Sequence, residues 1–290
     1  MTLSSGATGI SDGAQRRPAP LLQPYVRRYE GYRLTGFAPG EHLGLPSPDL
    51  TVVLSLGDPV DIARPATPDQ SPGRFIAPAG GLTTSSVTIA HDGNQYGIQL
   101  ALTPAGGRAL FGMPTAALGP WVVELEDLFG ADYRELVGRV VDASTWPERF
   151  DILDRVLARR IASVDGGELD SQLARAWDMV VSGPHRTVRE VADELGWSRR
   201  HLSARFAAEY GLGPKEAARI ARFARSRMLL RRPGAGKIAD VAVRCGYYDQ
   251  AHLAREWRDI AGVPPSRWLE DEVFPFVQDV EVPTGEHSKP

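Results

Sequence analysis

The sequence predicts an α+β protein of two domains. An antiparallel β barrel or sandwich with appended helices comes first, and an all-α half built from two helix-turn-helix units follows. Three observations carry this prediction. Residues 50–56 (LTVVLSL), 74–78 (RFIAP), 86–90 (SVTIA) and 96–102 (YGIQLAL) are short β-prone runs separated by Gly, Pro, Asp and Asn, the pattern of a small antiparallel barrel or sandwich. Residues 191–206 (VADELGWSRRHLSARF) return, little changed, as 241–257 (VAVRCGYYDQAHLAREW). Charge also divides unevenly: residues 185–270 hold 17 Lys+Arg against 10 Asp+Glu, while the rest of the chain holds 16 against 26. A basic segment joined to an acidic remainder points to a polyanion-binding module beside a domain with another task.

In chain order, residues 1–17 are rich in small and polar residues and lack the apolar core of a secretory signal, so a disordered leader is expected. A first domain follows over 18–164, β-rich to about residue 102 and helical after it. Thr103-Pro104 places Pro at the first position of a helix. Two further helices are expected over 132–143 and from Pro147 to about Val164. Residues 165–169, within VDGGELD, read as a hinge, and Asp170 as the cap of the next helix. The second domain then covers 170–270, leaving 271–290 as a tail. No apolar run approaches the ~20 residues of a membrane span. The single cysteine, Cys245, excludes an intrachain disulfide framework and fits a reducing cytoplasm.

The repeat has an internal grammar. Val188, Val191, Ala192, Gly196 and Trp197 recur at an offset of 50 as Ile238, Val241, Ala242, Gly246 and Tyr247. After one inserted residue the offset becomes 51, and His201, Leu202, Phe206, Gly211 and Pro214 return as His252, Leu253, Trp257, Gly262 and Pro265. In the first copy Thr187 caps a short helix whose Val188, Val191, Ala192 and Leu195 share one face. Gly196 ends it in a left-handed turn. Ser198 caps a second helix that Gly211 terminates, and Asp249 and Gly262 take these roles in the second copy. Helix, a short glycine turn, helix is the helix-turn-helix pattern. Residues 214–232 between the copies carry an apolar stripe of Ala218, Ala221, Phe223, Ala224, Met228 and Leu229. They read as one long helix holding the units apart.

Leu202 and Phe206, like Leu253 and Trp257, must face the core. This turns Arg199, Arg200, Ser203 and Ala204 outward in one unit, and Gln250, Ala251, Ala254 and Arg255 in the other. Arg and Gln form bidentate contacts with guanine and adenine edges, and small residues let a helix lie deep in a major groove. The caps Ser198 and Asp249, with first-turn Arg199, suit a phosphate. His201 and His252, at matched positions, either sit beside phosphate or pack the helices. Two such helices pointing the same way would enter successive major grooves of double-stranded promoter DNA about 34 Å apart.

Residues from about 168 to 270 resemble the DNA-binding domain of AraC/XylS transcriptional regulators. The resemblance lies in VADELGWSRRHLSARF, the linker helix and IADVAVRCGYYDQAHLAREWRDIAGVPPSRW, including Gly246-Tyr247, Trp257 and the Gly262-Val263-Pro264-Pro265-Ser266-Arg267-Trp268 ending. It implies base contacts from Arg200, Ser203, Ala204, Gln250, Ala251, Ala254 and Arg255. It also implies that the first domain is a cupin-like β domain that senses a small-molecule effector or forms a homodimer, with RNA polymerase as a further partner. YGIQLALTPAGGRALFGMP is similar to a recurring type of N-terminal domain in such regulators.

The competing reading is a cupin-like metal-dependent enzyme with a helical accessory domain. Its ligands would have to include His42 and His91, with Glu41 beside the first; these read instead as solvated loop histidines, so no metal, cofactor or catalytic residue is assigned. Residues 103–112 lack the spacing of a phosphate loop. Cys245 reads as a small buried hydrophobe. Trp121, Tyr96, Phe75 and Tyr25 could line a ligand pocket, although core packing explains most such aromatics.

Overall fold

The computed structural model describes residues 9–164, 169–182, 186–232 and 234–271. Among the described residues, ten strands lie in the N-terminal half: β1 Ile10–Arg16, β2 Val26–Thr35, β3 Gly40–Gly44, β4 Leu50–Ser55, β5 Val60–Arg64, β6 Gly73–Phe75, β7 Pro78–Gly80, β8 Val87–His91, β9 Gln95–Leu102 and β10 Val122–Glu124. They make a six-stranded sheet in the order β1-β2-β9-β4-β7-β10 and a four-stranded sheet in the order β3-β8-β5-β6. The paired strands run antiparallel. Strand β9 lies between β2 and β4, and its residues Gly97–Leu102 are all buried. That explains why YGIQLAL reads as a continuous apolar run instead of alternating.

Two sequence expectations are corrected here. Residues 10–16 are not a disordered leader: they pair with β2 from Ile10↔Thr35 to Arg16↔Tyr29. Arg16 also bridges Asp151 and Asp154, each at 2.5 Å, so tertiary pairing overrides a composition (Asp, Gly, Gln) that disfavours strands. Residues 1–8 lie outside the described residues, as do residues 165–168 of the expected hinge and residues 272–290 of the expected tail. The run 74–78 is two short strands, β6 and β7, and not one.

The helices of this half are α1 Pro104–Phe111, α2 Leu125–Phe129, α3 Ala131–Asp142 and α4 Trp146–Ser163. Thr103 caps α1 by accepting from Gly106 N–H at 2.9 Å, and Gly112 ends it at φ 74°. Arg160 of α4 is buried and fastens the neighbouring helix ends. Its guanidinium donates to the carbonyls of Leu110 at 2.6 Å and Leu128 at 2.7 Å, and pairs with Asp132 at 2.6 Å.

The C-terminal half comprises α5 Ser171–Ser182, α6 Val188–Glu194, α7 Arg199–Tyr210, α8 Pro214–Arg231, α9 Ile238–Cys245, α10 Gln250–Ala261 and α11 Pro265–Asp271. The expected linker helix is α8, about 27 Å long at 1.5 Å per residue. Its buried face differs from the expected stripe. Ala217, Ile220, Ala221, Phe223 and Leu230 are buried, whereas Met228 is 42 % exposed. Residues 265–271 are helical where only a terminal motif was expected, and Trp268 is buried.

The apolar cores do not divide at the expected hinge. One continuous core runs from the β domain through α4 into α5, α6, α7 and the start of α8. The second core gathers Phe223, Leu230, Val241, Tyr247, Leu253, Trp257, Ile260 and Trp268, and it includes Leu45 from the β domain.

Candidate nucleic-acid interface

Each helix-turn-helix unit is set by local chemistry. In the first, Thr187 and Glu190 form a reciprocal capping box: Thr187 N–H donates to the Glu190 carboxylate at 2.7 Å, and Glu190 N–H to Thr187 Oγ1 at 3.2 Å. Gly196 adopts φ 69°, the left-handed turn that a side chain resists. Ser198 Oγ accepts from His201 N–H at 3.1 Å and starts α7. The second unit uses Asp240 to accept from Lys237 N–H at 3.2 Å. Gly246 then turns at φ 79°, and Asp249 accepts from His252 N–H at 2.6 Å. Replacing Ser198 with alanine is expected to cost about 1 kcal/mol of stability, visible as a small fall in Tm.

Behind these surfaces the units are packed with aromatics. Trp177 stacks on Phe206 at 5.5 Å, and Tyr210 Oη donates to Leu173 O at 3.1 Å. In the second unit Trp257 lies 4.6 Å from Phe223 and 5.0 Å from Trp268, and its indole N–H donates to Ser226 Oγ at 2.9 Å. Glu256, unremarked in the sequence, is buried and pairs with Arg222 at 2.5 Å and Arg219 at 3.5 Å. It stands at the position matched by Arg205 in the first copy, so the only available cue was a sign reversal between the repeats.

Every residue expected at the interface lies at or near the surface. Ser198, Arg199, Arg200, His201 and Ala204 are exposed and Ser203 is half-buried; Asp249, Gln250, Ala251 and Arg255 are exposed, and His252 and Ala254 are half-buried. The two histidines pack as matched wedges, His201 edge-on to Trp197 at 4.9 Å and His252 edge-on to Tyr247 at 5.3 Å. His252 Nδ1 accepts from Tyr248 N–H at 3.3 Å.

The arginines sort into two groups. Arg175 and Arg186 pair with Glu194, Arg189 with Asp193, Arg205 with Asp170, and Arg219 and Arg222 with Glu256. Arg199, Arg200 and Arg255 have no acidic partner among the described residues. Three guanidiniums without an acidic partner thus stand on the outward faces of α7 and α10, and exposed Arg244 of α9 is a further one.

A family profile described as a helix-turn-helix domain matches residues 191–271. The C-terminal segment thus contains a helix-turn-helix domain. Among solved structures, the chain is similar to ToxT from Vibrio cholerae bound to an unsaturated fatty acid. The TM-score is 0.51 at 14% identity, covering 88% of this chain and 96% of that one. An apo single-substitution variant of ToxT gives 0.51 at 10% identity, covering 90% and 97%. At these identities the likeness concerns the fold alone. No curated protein sequence matches the chain significantly. The likeness extends over both the β half and the helical half of this chain.

The β domain holds a second candidate site. A cavity of 140 Å³ opens between its sheets, walled by Leu45, Val53, Ile62 and Ile89, with Tyr32, Gln99 and Trp121 among its other lining residues. Of the aromatics named from sequence, Trp121 lines it. Tyr96 lies instead in a neighbouring cleft, packed on Trp146 at 5.7 Å. His42 and His91 are not loop histidines. They stand on the adjacent strands β3 and β8 with ring centroids 5.4 Å apart. Among the described residues no group of three His, Cys, Asp or Glu is placed to hold a metal ion.

Burial, and then the neighbouring His91, pull the His42 pKa down from 6.5 to about 3. The unfolded chain therefore binds more protons than the folded one between those values. The stability that neutral His42 confers is complete above pH 6.5 and declines as pH falls towards 3. His42→Gln is expected to flatten this acid limb; a slope of Tm against pH equal to that of the unaltered protein between pH 6.5 and 4 would refute the assignment.

Proposed function

We propose that this protein is a sequence-specific transcription regulator that sets α7 and α10 into successive major grooves of promoter DNA, under the control of a small molecule held in the β-domain cavity. The observation that carries the reading is the duplicated unit, with exposed Arg199, Arg200 and Arg255, none with an acidic partner among the described residues, on the outward faces of its two second helices. In this reading Arg200, Ser203, Ala204, Gln250, Ala251, Ala254 and Arg255 meet base edges. Ser198, Arg199, His201 and His252 approach phosphates. Asp249 acts there through the helix end it caps, since a carboxylate has no donor to offer a phosphate.

The region from β1 to α4 is the sensor and dimerisation domain, and the region from α5 to α11 binds DNA. RNA polymerase is a further partner at the promoter, and the cytoplasm is the site of action. No helix among the described residues is long and apolar enough to cross a membrane. The helix-turn-helix family is one of regulators, normally without catalytic activity.

The cavity supports an effector of compact, mainly apolar form. Its 140 Å³ is below the roughly 300–1,000 Å³ of drug-sized pockets. The unsaturated fatty acid bound to ToxT is one chemical precedent for such a ligand.

Selection of bound fragments from the source genome by the purified protein, followed by salt titration of the best fragment, tests the reading. A discrete asymmetric motif with two half-elements about one helical turn apart is expected. Uniform, steeply salt-dependent binding with no motif would reduce the protein to a phosphate binder. Sedimentation at micromolar concentration is expected to show a dimer, and a monomer would remove that part of the proposal.

A further inference from the structure

Each second helix of the two units ends on a hydrogen-bond donor from the β domain, at the same place. Glu209 of α7 and Ile260 of α10 are matched positions of the repeat, 51 residues apart. Thr115 Oγ1 donates to Glu209 O at 3.0 Å, and Ser86 N–H donates to Ile260 O at 3.0 Å. Both acceptors are last-turn carbonyls, which lack a partner inside their own helix. The donors are a side chain in one case and a backbone amide in the other, so the coincidence belongs to position and not to a copied motif.

Each contact is reinforced. Arg108 pairs with Glu209 at 2.7 Å, with both side chains largely buried. Gly211, the residue that ends α7, sits so close to the β domain that a Cβ there would lie 3.2 Å from Ala116 Cα. At the other unit, Leu45 of the β domain belongs to the core that contains Phe223, Trp257 and Trp268. The two donor-bearing segments are also joined to each other: Gly81 N–H donates to Trp121 O at 3.2 Å. A Cβ on Gly81 would meet Gly119 O at 1.9 Å, so the segments meet backbone to backbone. Gly81, Thr83, Pro120 and Trp121, from these same segments, line the cavity.

A single helix, α8, joins the two units along the chain and packs into the core of each. The β domain supplies the second attachment. We propose that Thr115 and Arg108 on one side, and Leu45 with the 82–86 segment on the other, are positioning residues that fix the separation of α7 and α10, so that the protein selects operators by the distance between their half-sites. This rests on the regulator reading above and adds to it a specificity in which no base is touched. It also places an occupant of the cavity against both attachments at once.

The test uses the full chain and the operator obtained by fragment selection. In derivatives of that operator one base pair is inserted or removed between the half-sites, shifting them by about 3.4 Å and about 35°. The unaltered protein is expected to lose about tenfold in affinity at one inserted base pair, the scale of a single mismatched position. The Thr115→Val/Arg108→Met double variant is expected to bind the original operator within about threefold of the unaltered protein and to lose less than about threefold on insertion. Arg108→Lys, which keeps the charge beside Glu209, should retain the sharp preference.

Leu45→Ala, released at the other unit, is read in the same way and serves should the double variant fail to fold. A change of equal factor at every spacing, including complete loss by a folded variant, overturns the inference and leaves the regulator reading standing. Failure to select any operator removes both.

Discussion

Trp257→Ala is expected to remove about 3–5 kcal/mol from the second helix-turn-helix unit and with it specific DNA binding, while the β domain stays folded. The indole fills the centre of the second core, fully buried between Phe223 and Trp268. This core is separate from the one that spans the β domain and the first unit. A loss of that size is a large part of the stability of any small cooperative unit, so local opening is expected before global unfolding. In urea, far-UV and near-UV signals should cease to coincide, since the two cores would melt separately. Trp257→Phe is the milder change. It keeps a ring against Phe223 but loses the indole donor to Ser226, whose hydroxyl still donates to Phe223 O at 2.7 Å, together with part of the buried ring volume. A loss of roughly 1–3 kcal/mol is expected there, smaller than that of the alanine variant. Operator binding by Trp257→Ala equal to that of the unaltered protein would show that the second unit does not contribute to recognition.

The helical half was far more legible in the sequence than the β half, for a physical reason. A helix-turn-helix unit is written in local terms: a cap, an apolar face at three- and four-residue spacing and a glycine in the left-handed turn. Thr187, Gly196, Ser198, Gly211, Asp249 and Gly262 were each read from neighbours within a few residues, and each takes the conformation so inferred. The strands β1, β2, β3 and β5 are stabilised by distant partners instead. VRRYEGYRLT reads as a charged segment, yet it is β2. Its Glu30 is buried because Gln15 of β1 donates to it at 2.7 Å and Arg28 lies at 3.3 Å.

The candidate interface shows the same division. Its outward residues follow from helical spacing alone. Which arginines remain uncommitted does not, because Asp170, Glu194 and Glu256 reach their partners across 8 to 37 residues of sequence. Of the cavity, only Trp121 was legible. Its wall draws on residues from Tyr32 to Val122, and only the register of the two sheets brings them together.

Arg200→Ala and Arg255→Ala are each expected to weaken cognate binding by about 1–3 kcal/mol, roughly five- to 150-fold, while changing binding to unrelated DNA far less. The expectation rests on commitment as well as exposure. Arg205, one residue beyond Ala204, is exposed too, but it pairs with Asp170 at 2.7 Å and leans on the Trp197 ring at 5.8 Å. Arg200 and Arg255 have no such partner among the described residues, so neither must break an ion pair to reach a guanine edge. They also sit at different depths of the repeat: Arg200 matches Ala251, and Arg255 matches Ala204. The first unit thus presents its guanidinium near the head of α7, and the second presents it one turn further along α10. The bases they read should accordingly occupy different positions within their half-sites, so relaxed specificity should appear at one position for each variant and not at the same one. Arg199→Ala is the comparison, since a phosphate contact should weaken binding to all sequences alike and lower the salt dependence by about one unit of slope. If Arg200→Ala and Arg255→Ala also weaken cognate and unrelated DNA by the same factor, they grip the backbone, and base readout must come from Gln250, Ser203 and the shape of the DNA.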